Sequence, residues 1–224
     1  MSKREGEESS FLGQVIGCLT SPRSSLKLIL EKPILFRAAV LILVIAIIAA
    51  WASYNYTGKL PLAFIPEQEV GNFGGAGVSP EQIRQASMIV SVMMRLFGVF
   101  GSWLISSAII HVLSRRQGGR GSFRDMLTLA GYASTPLLIQ HLLRLIDSFM
   151  VTEQGVLQLL VVAQVFNQPL LNAVANAAIN TFSIFKLWSI CLFVIVICEN
   201  YGISTARSII TVAATYIIIM FLPF

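Results

Sequence analysis

Residues 111–136 read HVLSRRQGGRGSFRDMLTLAGYASTP, a basic, glycine-rich stretch between two apolar segments, each long enough to cross a bilayer. Arg115, Arg116, Arg120 and Arg124 fall beside membrane ends, where basic residues in a short loop hold that loop on the cytoplasmic side. Gly118, Gly119 and Gly121 permit a tight reversal at an entropic cost that a helix interior would not bear. The Gly-Gly-Arg-Gly run is not a phosphate-binding loop, because no Gly-Lys-Ser/Thr follows it and no strand precedes it.

Composition outside the loop sets the class. With 55% hydrophobic and only 12% charged residues, the 224-residue chain has too little polar surface to coat a soluble globule. The expectation is an all-α integral membrane protein with no sizeable soluble domain. The net charge of +5 clusters at membrane ends, as an orientation signal does, so nucleic acid is not an expected partner. Cys18, Cys191 and Cys198 are too scattered to form a disulfide or metal framework.

In chain order, residues 1–10 form a charged tail with nothing apolar to bury, expected to be disordered and cytoplasmic. Residues 11–224 are expected to form one membrane domain. It opens with an amphipathic segment, in which Phe11, Leu12, Val15, Ile16 and Leu19, then Leu26, Ile29 and Leu30, recur at helical spacing around the Ser21-Pro22 break. This pattern fits two short helices that either lie in the interface or cap the bundle. The first long apolar run is too long for the core of a secretory signal, so none is expected. Five spans are expected, over about 34–54, 87–114, 125–149, 181–198 and 204–222. Pro136 should kink the third. Residues 55–83 read as an outer loop, and Gly202 suits a helix C-cap after Glu199-Asn-Tyr.

The segment over 151–180 is the ambiguous part. Residues 156–166 are apolar for only about half a crossing, while Gln164, Gln168, Asn172, Asn176 and Asn180 recur every fourth position with Pro169 among them. The expectation is an outer-face interfacial or re-entrant helix, with 156–176 crossing the membrane as the rival. Basic residues favour five spans: Lys3, Arg4, Arg23, Lys27, Lys32 and Arg37 precede or open the first span, and Arg207 opens the fifth.

No catalytic constellation stands out. No zinc-protease or nucleophile-elbow pattern occurs, and no cofactor or metal ligands are expected. Three groups of candidate residues remain. Arg115, Arg116, Arg120 and Arg124 are candidate contacts for anionic lipid or a cytoplasmic partner. Gly98, Ser102 and Ser106 on the second span, with Gly131 and Pro136 on the third, are candidate helix-packing positions, expected to bring those two spans together or to support a homo-oligomer. Arg95, His141, Arg144, Asp147 and Lys186 fall toward outer membrane ends as a polar belt, Arg144 and Asp147 one turn apart and suited to pair. The function these residues support best is a scaffold or adaptor in the bilayer. A transporter of a small solute or ion is the alternative, opposed by the absence of inverted repeats and paired broken helices.

Three stretches together resemble a known family: LTSPRSSLKLILEKP before the first span, IIHVLSRRQGGRGSFRDMLTLAGYASTPLLI around the central loop, and FKLWSICLFVIVICENYGISTARSI across the last two spans. In these the chain is similar to the Yip-domain family, the Ypt/Rab-interacting membrane proteins. The resemblance implies five spans, a cytoplasmic N-terminus and a non-enzymatic role. In eukaryotic relatives that role includes recruiting Rab-type small GTPases, oligomerising and shaping or sorting membranes. The chain lacks the Asp-Leu-Tyr-Gly-Pro type motif those relatives carry before the first span. It resembles instead the compact prokaryotic members, which implies the cell membrane of a prokaryote.

Overall fold

The computed structural model describes residues 10–59, 79–154 and 183–220. Most of the expected tail, the centre of the expected outer loop and the ambiguous segment over 155–182 lie outside the described residues. The described residues form helices and no strand: α1 (Phe11–Thr20), α2 (Pro22–Glu31), α3 (Leu35–Gly58), α4 (Pro80–Arg116), α5 (Phe123–Ala133), α6 (Thr135–Met150), α7 (Ile184–Tyr201) and α8 (Thr205–Met220). Among them α3, α4 and α7 are long and apolar enough to cross a membrane. α4 exposes Ile89, Met94 and Phe97, as a helix facing lipid does and a soluble one does not.

The chain divides into two compact units: Met1–Ile45, Val99–Gln140 and Asn180–Phe224 form one, and Ala46–Gly98 with His141–Ile179 the other. In the first, α7 packs on α5 and α8, while α2 packs on α1, α7 and α5. Leu26, Ile42, Ile110, Leu129, Val196 and Ile197 are buried at its core. The amphipathic segment thus buries one face in this unit: Ser10 caps α1 by accepting from the Gly13 N–H at 3.0 Å, and Val15, Cys18, Leu26 and Ile29 point inward. Burial pushes the Cys18 thiol up to about 12, so it stays protonated at neutral pH.

The expected kink at Pro136 is a break. α5 ends at Ala133, Ser134 caps it, and α6 begins at Thr135. Pro136 has no N–H, so the Tyr132 carbonyl four positions back loses its helical donor. The Thr135 hydroxyl replaces it at 2.6 Å. The Leu137 N–H turns to Ser134 O at 2.9 Å, and the freed Ala133 carbonyl accepts from the Ser189 hydroxyl of α7 at 2.8 Å. Hydroxyls thereby satisfy the backbone carbonyls that the proline break frees.

Candidate functional site

The central loop is built by its glycines and by a second segment that arrives from far along the chain. After α4 the backbone folds back, with Gly118 at φ 89° and the Gly119 N–H bonded to Ser114 O at 3.0 Å. A Cβ on Gly119 would lie 2.7 Å from the Tyr201 Cβ, and one on Gly121 would lie 2.5 Å from Asn200 O. These two glycines therefore leave room for the end of α7. That end is itself shaped by Gly202, left-handed at φ 66°, whose N–H closes on Cys198 O at 3.0 Å.

Hydrogen bonds lock the two segments together. The Arg120 N–H donates to Tyr201 O at 3.2 Å, and Asn200 Nδ2 donates to Ser122 O at 3.3 Å. Gln117 Nε2 donates to Thr211 Oγ1 at 2.8 Å, while the Tyr201 hydroxyl meets His111 Nδ1 at 2.6 Å. Ser122 caps α5, accepting from the Asp125 N–H and donating to its carboxylate. From this pinned backbone the side chains of Arg115, Arg116, Arg120 and Arg124 are all exposed. The N-terminal helices reach the same α7 end: Arg23 Nε donates to Glu199 Oε1 at 2.7 Å, and Lys27 Nζ lies 3.6 Å from Oε2. Glu199, Asn200 and Tyr201 read in the sequence only as part of a turn. The sole signal for Glu199 was an acid placed at a membrane end dominated by basic residues.

The family model for the Yip1 domain matches residues 16–224, a range that contains the glycine loop, the Pro136 break and the Glu199-Asn-Tyr-Gly turn. The chain belongs to the Yip1-domain family. An uncharacterized protein of Methanocaldococcus jannaschii is 25% identical over 134 residues, covering 59% of this chain and 86% of that one. This distant archaeal relative is consistent with a prokaryotic-type Yip1 member. No solved structure matches.

The small-residue positions of this Yip1-domain chain behave differently from one another. Among the described residues nothing stands within 4 Å of a Cβ built on Gly98, and Ser102 is exposed, so these two positions show no part in the expected contact of α4 with the third span. The neighbouring row makes it: Trp103, Ser107, Ile110 and Ser114 are buried, and Trp103 Nε1 donates to Leu127 O at 3.0 Å. The large indole with its hydrogen bond, rather than the small side chains, selects the inward face. Gly131 is a close-packing glycine, but against the first span: a Cβ there would lie 2.7 Å from the Ala38 Cβ.

Of the polar belt, Arg95, His141, Arg144 and Asp147 belong to the second unit and Lys186 to the first. In the second unit the Tyr56 hydroxyl donates to the Asp147 carboxylate, and Asn55 Nδ2 donates to Ser148 Oγ at 3.1 Å. Lys59 Nζ sits on the carbonyls of Ser148 and Val151, each at 2.7 Å, where the C-terminal end of α6 attracts a cation. In the first unit Lys186 Nζ stands 5.9 Å from the centre of the Tyr216 ring. Among the described residues no cluster of His, Cys, Asp or Glu has metal-binding geometry.

Proposed function

We propose that this Yip1-domain protein is a non-enzymatic membrane scaffold or adaptor whose cytoplasmic end carries a pre-shaped basic loop for an anionic lipid or a protein partner. The observation that carries this reading is the lock between the loop and the α7 turn: four exposed arginines project from a backbone held by Tyr201 and Asn200. A recruiting surface that is ordered before its partner arrives loses less entropy on binding. A loop whose only task was to fix orientation would need the charge and not the seat.

The same lock supports five spans with a cytoplasmic N-terminus. The α1–α2 hairpin, the central loop and the α7–α8 turn meet one another, so the chain between the loop and the turn crosses an even number of times. α5–α6 and α7 supply two crossings, and a third over 156–176 would separate loop from turn. A small GTPase is a partner only by family likeness, and a second copy of the chain fits the open Gly98 row. The transport reading rests on the outer polar belt and on the Gln/Asn stripe over 164–180; the stripe lies outside the described residues, and in the belt the Asp147 carboxylate is engaged by the Tyr56 hydroxyl.

Changing Arg115, Arg116, Arg120 and Arg124 together to Gln tests the proposal. In a variant that still inserts with native orientation, co-purifying anionic lipid or a crosslinked cytoplasmic partner is expected to fall several-fold, each lost charge weakening the contact by about 1 kcal/mol. Unchanged lipid and partner content would reduce the loop to an orientation signal.

A further inference from the structure

We propose that the α1–α2 hairpin is a second, separate docking surface, for the anionic lipid of the leaflet it faces, with Arg23 and Lys27 gripping the lipid phosphate. This rests on the scaffold reading only for which leaflet that is.

Charge bookkeeping at Glu199 motivates it. Among the described residues one carboxylate faces two cations, so this group carries a net charge of +1. Among the described residues Arg23 uses its Nε on Glu199, and both terminal nitrogens of its 73% exposed side chain are without a hydrogen bond; Lys27, 57% exposed, stands 3.6 Å away, beyond hydrogen-bond range. A guanidinium fork with two free donors, and an ammonium one turn further along the same helix row, match the geometry of a phosphodiester. Arg23 and Lys27 line an open depression of about 440 Å³ together with Ser21, Pro22 and Ser24.

The exposed apolar residues of the same hairpin say which kind of phosphate. Leu12 and Ile16, one turn apart on α1, are 69% and 59% exposed, and Leu28, one turn beyond Ser24 on α2, is 43% exposed. Exposed bulky aliphatic side chains on the same hairpin as these cations suit the boundary between headgroups and acyl chains. A soluble phosphate has no use for them, and an acidic protein surface would leave them unpaired. Glu199 has a further role here. It holds the two cations in place, and it also competes with the phosphate for them.

The test uses the full-length chain in detergent micelles doped with phosphatidylglycerol or phosphatidylcholine, with bound lipids counted by native mass spectrometry. The Arg23→Gln, Lys27→Gln double variant is expected to lose phosphatidylglycerol about fivefold per cation, with phosphatidylcholine unchanged. Glu199→Gln keeps an acceptor for Arg23 but removes the competing charge, and is expected to bind more phosphatidylglycerol than the native chain. A purely structural clasp predicts the reverse. Protection of Cys18 from N-ethylmaleimide reports that the hairpin is still docked; should the double variant expose Cys18, Glu199→Gln alone decides. Undiminished phosphatidylglycerol in a docked double variant, a decrease in Glu199→Gln, or displacement of the lipid by low-millimolar inorganic phosphate overturns the proposal. Changing the four loop arginines must leave this response to Glu199→Gln intact. Its loss there would merge the two sites, while an inverted orientation would refute the leaflet assignment and leave the site standing.

Discussion

At the scale of single residues, four glycines that look alike in the sequence have separate tasks. Gly118 supplies a positive φ, Gly119 and Gly121 make way for Tyr201 and Asn200, and Gly98 meets nothing within 4 Å among the described residues. Gly121→Ala drives a methyl group into a backbone carbonyl that cannot rotate aside, so it is expected to destabilise the fold by about 1–3 kcal/mol. Gly98→Ala sits in a helix and meets no described residue, so it should cost nothing or stabilise slightly. Thermal melts of the two variants in the same detergent check this, and equal melting temperatures would mean that the loop does not sit on the α7 end. The glycine cluster was legible in the sequence as a reversal. Its second purpose was not, because Asn200 lies 78 positions from Ser122 and no local pattern announces a neighbour that remote.

At the scale of elements, the crossing helices were readable because length and apolarity are local properties, and α3, α4 and α7 fall where long apolar runs predict. What periodicity misplaced was the inward row of α4. Small residues at Gly98, Ser102 and Ser106 mark a possible close approach but not which neighbour uses it, and the Trp103 row one position on has the stronger claim through its bond to Leu127 O. Pro136 announced a perturbation, while the repair came from Ser189 on another helix. Ser189→Ala strands the Ala133 carbonyl and is expected to cost about 1 kcal/mol of unfolding free energy. Titration with SDS in mild detergent measures it, and no loss would show that the carbonyl finds another donor.

At the scale of the whole molecule, the arrangement stands or falls on which segments share a side. Single cysteines replacing Gly74, Arg116 and Thr152 in a cysteine-free background report it. An impermeant maleimide added from outside is expected to label positions 74 and 152 and to miss 116; any other pattern rejects five spans with an inner N-terminus. In the sequence it is the charge tally that predicts this topology, since basic residues gather on one side by the energetics of insertion. The ion pair of Arg23 with Glu199 was beyond its reach, because the partners stand 176 positions apart.

That separation also bears on how the protein is made. A ribosome adding about 5–20 residues per second needs roughly 10–35 s to travel from Arg23 to Glu199. Throughout that interval the hairpin waits for the turn that fastens it, and the glycine loop waits for the same turn through the last 78 positions. The polar backbone of the loop stays wetted and Arg23 and Lys27 stay unclasped until α7 has entered the bilayer. A nascent chain cut short before Asn200 would lack the turn that latches both the hairpin and the loop.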